Sequence, residues 1–131
     1  SDRKKIRMLI DDKSGVSSFD IFKDGEKIAW ATKKGNIYTA DLNSETDNAE
    51  YLDRGLDPSW HPNKQILIYA GARLLGNVAV SYDLKLTNLR SNKSFLTETS
   101  YSDERWPLWH PNGKDIIYTK DKTTDLYKLS L

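Results

Sequence analysis

Two histidines stand at equivalent places in this sequence, and they are the first candidates for chemistry. His61 and His110 lie in the segments WHPNKQILIYA and WHPNGKDIIYT. An imidazole can ligate a metal or act as a general base. However, no spacing of serine, histidine and aspartate nominates a triad, and no cysteine is present. Phosphate-loop, dinucleotide and metalloprotease motifs are also missing. We therefore predict a protein that is not an enzyme and has no cofactor and no metal site.

Charge gives little help in naming a partner. The 20 basic and 19 acidic residues leave a net charge of +1. Such a balance produces no long-range field that would attract nucleic acid or an anionic membrane surface. No segment has the roughly 18 apolar residues that a membrane span needs. Recognition of a partner must therefore depend on local groups.

The elements that position these residues form a repeat. When Trp60 is aligned with Trp109, 49 positions later, seven residues of PSWHPNKQILIYA are identical without a gap. A third copy, FDIFKDGEKIAW, lies 39 positions before the first of these and is less similar. The identical residues of this pair of copies are Pro58, Trp60, His61, Pro62, Asn63, Ile68 and Tyr69.

Each copy has the signals of antiparallel strands. KIAWAT, QILIYA and DIIYTK are short β-branched and aromatic runs, and NIYTADL, YDLKLTNL and DLYKLSL alternate between apolar and polar residues. Asp-Gly at 24–25 and Asn-Gly at 112–113 are hairpin turn pairs. EYLD and SFLTE add a further strand to two copies. Four strands in about 40–50 residues are typical of a β-propeller blade, so the chain is predicted to be all-β.

The segments PSWHPNKQILIYA and PLWHPNGKDIIYTKDKTTDLYKLSL resemble the repeat of TolB-like propellers. That repeat typically reads Pro-x-Trp-Ser-Pro-Asp-Gly-Lys-x-Ile-Ala-Phe, then a polar loop, then Ile-Tyr-hydrophobic-x-Asp-Leu. This chain has histidine where the family usually has serine, and Lys64 where a turn glycine is usual. The resemblance covers almost the whole chain. It implies a non-catalytic protein-binding or scaffold module.

The resemblance also implies a place in the periplasm or cell envelope, and the cytoplasm stays open. Two other functions remain possible at this stage. One is a propeller that gates the active site of a prolyl-oligopeptidase-type hydrolase. The other is a propeller that binds a glycan or a small ligand.

The strand order predicts how the chain is organised. With strands lettered A to D from the propeller axis outward, residues 4–11 form a D strand, 16–53 and 56–98 form blades, and 105–131 form a blade without strand D. The single unit 1–131 thus holds three four-stranded antiparallel blades in the order D-ABCD-ABCD-ABC.

Three blades are too few to close a ring, because propellers typically have four to eight. We predict that a second copy completes a six-bladed homodimer, in which strand 4–11 of one chain joins the last blade of the other. A fragment of a longer propeller is the alternative. The predicted dimer-interface residues are Ile6, Met8, Ile10, Leu126, Leu129 and Leu131.

A partner is predicted to bind where the D–A and B–C connections lie. The second copy carries an insertion there, GARLLGNVAVS, with four apolar residues. We predict an extended hairpin around Gly76-Asn77, which could be a flap over the domain itself, a hydrophobic partner or dimer contact, or a lid over a small molecule. The predicted partner-binding residues are Arg54, Asp57, Arg73, Leu74, Leu75, Tyr101, Glu104 and Arg105.

The two histidines and the repeated aromatic residues have structural roles in this scheme. Packed sheets lie about 10 Å apart, whereas a Zn–N bond is about 2 Å long, so His61 and His110 should not share one ion. We predict that each imidazole caps backbone groups of its own turn. Core packing is predicted for Trp30, Trp60, Trp109, Tyr69 and Tyr118.

Overall fold

The structure is a computed structural model that describes residues 13–43, 48–97, 103–121 and 125–131. These residues form ten antiparallel strands and no helix, so the all-β prediction is confirmed. No helix capable of crossing a membrane occurs in the described ranges. The predicted strand 4–11 lies outside them. The strands are Val16–Ile21 (β1), Lys27–Thr32 (β2), Asn36–Asp41 (β3), Glu50–Trp60 (β4), Ile66–Leu75 (β5), Val78–Asn88 (β6), Lys93–Leu96 (β7), Glu104–Trp109 (β8), Asp115–Lys120 (β9) and Leu126–Ser130 (β10).

The long strand β4 belongs to two sheets. Its residues 50–54 pair with β3, and its residues 55–60 pair with β5. Sheet 1 is therefore β1, β2, β3 and the first half of β4, and sheet 2 is the second half of β4 with β5, β6 and β7. Sheet 3 is β8, β9 and β10. The strands follow each other in the order A to D in sheets 1 and 2 and A to C in sheet 3. The number of blades in a complete ring stays a prediction.

The A strands β4 and β8 each contain a bulge. In β4 the pairing shifts between Leu56 and Ser59, and Asp57 between them has a φ of 60°. In β8 the pairing shifts after Arg105, and Trp106 has a φ of 55°. Bulges re-aim side chains and bend the strand that carries them. Here the bulge sits at the same repeat position in both strands.

The core consists of two apolar layers, one at each junction between sheets. Junction 1, between sheets 1 and 2, buries Phe22, Ala29, Ala31, Ile37, Trp60, Leu67 and Tyr69. Junction 2, between sheets 2 and 3, buries Ile68, Leu84, Trp109 and Ile116. Successive residues of a strand face opposite sides, which is why Leu67 and Ile68 serve different junctions. The predicted packing roles of the tryptophans and tyrosines at the repeat positions are confirmed, although Tyr118 is only partly buried.

The two ends of the sheets differ in what they present. One end carries the bulges at Asp57 and Trp106 together with the turn of the β5–β6 hairpin; we call it the hairpin end. The opposite end carries the β4–β5 and β8–β9 turns with the two histidines, and the β6–β7 turn; we call it the turn end. The candidate sites fall at these ends.

Candidate functional site

The β5–β6 hairpin projects from the hairpin end. Its strands stay paired up to Leu75 and Val78, and the turn is Gly76-Asn77, so the predicted extended hairpin is confirmed. Gly76 has a φ of 65°, which suits the first central position of a tight hairpin turn. The Arg54 guanidinium donates from Nη1 to the carbonyl oxygen of Asn77 at 3.4 Å. The hairpin tip is thereby connected to strand β4.

The tip of this hairpin exposes apolar side chains. The exposed fractions are 74% for Leu75, 66% for Val78, 59% for Val80 and 44% for Leu74. We call these four residues the apolar tip. Several exposed apolar side chains gathered at one hairpin tip are typical of an interaction surface.

An ion pair stiffens the base of the hairpin. Arg73 on β5 donates two hydrogen bonds, at 2.6 and 2.8 Å, to the buried carboxylate of Asp83 on β6. Such a bidentate pair fixes the orientation of the guanidinium as well as its position. Arg73 therefore connects the two strands just before the apolar tip begins.

A second ion pair bridges sheets 2 and 3 at the hairpin end. Arg105 donates to the buried carboxylate of Asp57 from Nε at 2.6 Å and from a terminal nitrogen at 3.2 Å. The backbone N–H of Trp106 donates to the same carboxylate at 3.1 Å. The guanidinium carbon also lies 5.2 Å from the ring centres of Tyr82 and Trp106. Arg105 is thus held on several sides.

The structure places the predicted partner-binding residues in two settings. The carboxylates of Asp57 and Glu104 are buried, and Glu104 accepts hydrogen bonds from the Leu84 N–H at 3.1 Å and the Thr97 hydroxyl at 3.0 Å. Buried backbone N–H groups need acceptors, which explains why these carboxylates turn inward. Tyr101 lies outside the described residues. The residues that remain at the surface of the hairpin end are Arg54, Arg73, Leu74, Leu75 and Arg105.

Trp106 is not among the residues that the sequence predicts to bind a partner. Its side chain is 54% exposed at the hairpin end, and its positive φ is rare for a bulky residue. Backbone strain of this kind gathers at functional sites. The signal was available, because the 49-residue offset aligns Trp106 with Asp57, a candidate that the sequence did single out.

The histidines cap their turns as predicted. Nδ1 of His61 accepts hydrogen bonds from the N–H groups of Asn63 and Lys64, both at 3.0 Å, and Nδ1 of His110 accepts one from Asn112 at 3.0 Å. Because Nδ1 of His61 is an acceptor, its Nε2 carries the proton and donates to the carbonyl oxygen of Gly113 at 3.0 Å. Across the described ranges, no three histidine or carboxylate side chains gather as metal ligands.

Junction 1 contains a polar group as well. The Tyr69 hydroxyl donates to the Asp53 carboxylate at 2.7 Å and lies 2.9 Å from the Thr87 hydroxyl. Burial raises the pKa of Tyr69, and the Asp53 carboxylate raises it further. The phenol therefore keeps its proton. Lys85 also binds Asp53, at 2.7 Å. These contacts stabilise the core, and the polar groups of Tyr69, Asp53 and Lys85 each have a partner in it.

The predicted dimer-interface residues are only partly described. Leu126 and Leu131 are exposed, while Leu129 packs against the apolar layer of junction 2. Ile6, Met8 and Ile10 lie outside the described residues. Among the described strands, none pairs with the outer edge of β10.

Solved structures with similar folds identify the architecture. The chain is similar to the tricorn protease, with a TM-score of 0.67 and 19% identity over 84% of this chain and 11% of that one. It is also similar to a protein described as TolB from Agrobacterium tumefaciens, with a TM-score of 0.67 and 19% identity over 86% of this chain and 41% of that one. For TolB from Acinetobacter baumannii the TM-score is 0.70, with 20% identity over 93% of this chain and 31% of that one. This chain spans less than half the length of each of these proteins.

No protein-family model matches the sequence, and no curated protein matches it. At 20% sequence identity, the structural similarity is evidence about the fold alone. The resemblance found in the repeat is confirmed at that level: the chain has the β-propeller fold of TolB.

Proposed function

We propose that this chain is a non-catalytic protein-binding module whose partner docks on the hairpin end. The observation that carries the proposal is the apolar tip, whose four side chains stand exposed on a well-paired hairpin. Water contact with this surface is unfavourable, and burial against a partner would remove it.

The groups around the apolar tip suit a protein surface as the partner. Arg73 is held by Asp83, Arg105 is held by Asp57, and Trp106 is exposed nearby on the same end. Arginine and tryptophan are enriched among the residues that dominate binding energies at protein interfaces. Because both guanidiniums are already fixed, binding costs little side-chain entropy.

Affinity purification with a matched control tests the docking site. The variant Leu75→Asp with Val78→Asp should lose the captured protein, and the purified partner should bind it at least about 30-fold more weakly. The control variant Phe95→Asp with Tyr51→Asp changes two exposed apolar residues away from the tip and outside the proposed dimer interface, and should retain binding. Equal capture by both variants would contradict the proposal.

The same proposal includes a place in the cell envelope. Its support is the TolB-like repeat together with the absence of cysteine, which suits an oxidising compartment. Fractionation of cells that express the full gene product tests it, and recovery only in the cytoplasm would contradict it.

A homodimer that completes a six-bladed ring is part of the proposal. Its support is that the sheet faces pointing away from the junctions expose apolar residues, Phe19 on sheet 1 and Leu108 and Leu126 on sheet 3. Light scattering at micromolar concentration should give twice the chain mass of 15.0 kDa. A stable monomer would contradict the dimer and leave the docking site unaffected.

A peptidase-associated propeller is the second candidate function. It is favoured by the similarity to the tricorn protease, although this chain corresponds to only 11% of that protein. It requires a hydrolase domain in the same gene product. The complete gene sequence decides between the two functions.

A further inference from the structure

A cleft opens at the turn end, between sheets 2 and 3, on the side opposite the proposed docking site. It has a volume of about 360 Å³, within the range of about 300–1,000 Å³ that is usual for small-molecule sites. Most of the lining surface is apolar, and two of the lining residues are lysines. The principal lining residues are Ile66, Leu86, Phe95, Trp109, Lys64 and Lys93.

Junction 1 shows why junction 2 has a cleft here. The repeat aligns Phe22 with His61, and the Phe22 ring meets Trp60 edge to face and is buried in the core. Leu89, which follows strand C of sheet 2, also packs against that core. At junction 2 the smaller, polar ring of His61 takes the place of Phe22. Leu131, the counterpart of Leu89, is 57% exposed.

Leu89 and Leu131 are counterparts by geometry as well as by sequence. Each follows a C strand, and each donates its backbone N–H to a carbonyl of its own A–B turn, that of Gln65 at 3.0 Å and that of Lys114 at 2.9 Å. The apolar volume that fills junction 1 at this end is therefore missing from junction 2. A ligand with an apolar body can supply it.

The charged side chains of the cleft have one sign. Lys64 and Lys93 are the only charged side chains among the described residues that line it, and both are exposed. His61 presents no free nitrogen, because its ring atoms bind Asn63, Lys64 and Gly113. Two ammonium groups above an apolar floor complement a ligand with one anionic head.

We propose that this cleft binds a small amphipathic carboxylate. The apolar body lies against Trp109, Ile66 and Leu86, and the carboxylate meets Lys64 and Lys93. The site goes beyond the proposed protein-binding function, because it lies at the other end of the sheets and uses different residues.

Titration of the whole chain with decanoate, followed by amide NMR, tests the proposal. Decanoate should give saturable shifts at Lys64, Lys93 and Gly113, and decanol, which has the same chain without charge, should bind about tenfold more weakly. Equal affinity for the two probes would overturn the proposed ion pairing. Absence of saturable shifts, or shifts centred on the apolar tip, would overturn the site.

Lysine variants test the contribution of charge to the binding of the ligand. Lys64→Gln with Lys93→Gln should weaken decanoate binding about tenfold and leave decanol binding unchanged. The matched control Lys34→Gln, an exposed lysine in the β2–β3 turn, should change neither. An equal loss for decanoate in the control, or no loss in the double variant, would refute the role of the two lysines.

Discussion

The two junctions use the same repeat positions with different residues. At junction 1 the ring of Phe22 meets Trp60 at 5.5 Å and 68°, and at junction 2 the ring of His61 meets Trp109 at 4.7 Å and 72°. The backbone N–H of each tryptophan also donates across its junction. The acceptor is the Asp20 carboxylate at 2.7 Å in the first case and the Ser59 hydroxyl at 3.2 Å in the second.

This comparison separates what the repeat requires from what it tolerates. The buried backbone N–H of each tryptophan needs an acceptor. The fold places residue 20 or residue 59 where any short polar side chain can provide one. The ring next to the tryptophan must be planar, but it can be apolar or polar. Each junction also has an ion pair between its sheets, Lys85 with Asp53 in junction 1 and Arg105 with Asp57 in junction 2. At the ring position, however, junction 1 relies on the apolar Phe22, whereas junction 2 adds the hydrogen bond from His61 to Gly113.

The largest effect is expected at the buried ion pair of junction 2. Asp57→Asn removes the charge that holds Arg105 and should lower the free energy of unfolding by about 2–3 kcal/mol, since Arg105 keeps partial access to water. Urea unfolding measures the loss. Trp106→Asn, at the equivalent repeat position, should stay within about 1 kcal/mol of the wild type, because asparagine tolerates a positive φ. Similar losses in the two variants would show that the pair does not dominate this junction.

A somewhat smaller effect is expected at a pair of glycines. Gly25 and Gly113 both have a φ of 70°, so alanine should cost about 1 kcal/mol at either for backbone strain. A Cβ at residue 113 would lie 2.8 Å from His61 Nε2, whereas nothing lies within 4 Å at residue 25. Gly113→Ala should therefore cost about 1 kcal/mol more than Gly25→Ala in thermal unfolding. In a His61→Ser background the excess should vanish, and its persistence would place the strain elsewhere.

Variants of the two histidines test the hydrogen bond between His61 and Gly113 directly. Serine can accept a turn N–H as the imidazole does, so His110→Ser should change the free energy of unfolding by less than about 0.5 kcal/mol. His61→Ser also loses the bond to Gly113 and the ring contact with Trp109, and should cost about 1–1.5 kcal/mol. Chemical denaturation of both variants measures the difference. Equal losses in the two variants would mean that the bond from His61 to Gly113 adds nothing to stability beyond the capping of the turns.

The smallest effect is a difference in pH dependence. Burial raises the pKa of Asp20 above 3.8, although N–H donors from Trp60 and Ile21 lower it in part. A raised folded-state pKa gives a stability contribution that is present below 3.8 and lost as the pH rises through the folded value. The stability of the wild type relative to Asp20→Asn should therefore fall across this range. Thermal unfolding at several acidic pH values measures it.

Junction 2 provides the control for that prediction. Ser59 does not titrate, so the difference between the wild type and Ser59→Ala should be independent of pH over the same range. A pH-dependent difference for Ser59→Ala would assign the titration to another group.

Much of the fold could be predicted because its signals are local. The strands of each copy follow from alternation and from turn pairs, and the capping role of His61 and His110 needs only residues two or three positions away. The hairpin around Gly76-Asn77 was readable for the same reason. The candidate site was harder to predict. Asp57 and Glu104 are among the predicted partner-binding residues, and their carboxylates are buried in the structure.

The repeat, the strand order within it and the aromatic positions can be read from the sequence alone, since they depend on neighbours along the chain. Which member of each equivalent pair meets another sheet depends on the tertiary fold. His61 reaches Gly113 and Asp57 holds Arg105, whereas His110 and Trp106 at the same repeat positions stay exposed. The physical reason is that these contacts join residues about fifty positions apart. Their formation depends on packing between sheets, and packing also left the cleft of junction 2 open where junction 1 is filled.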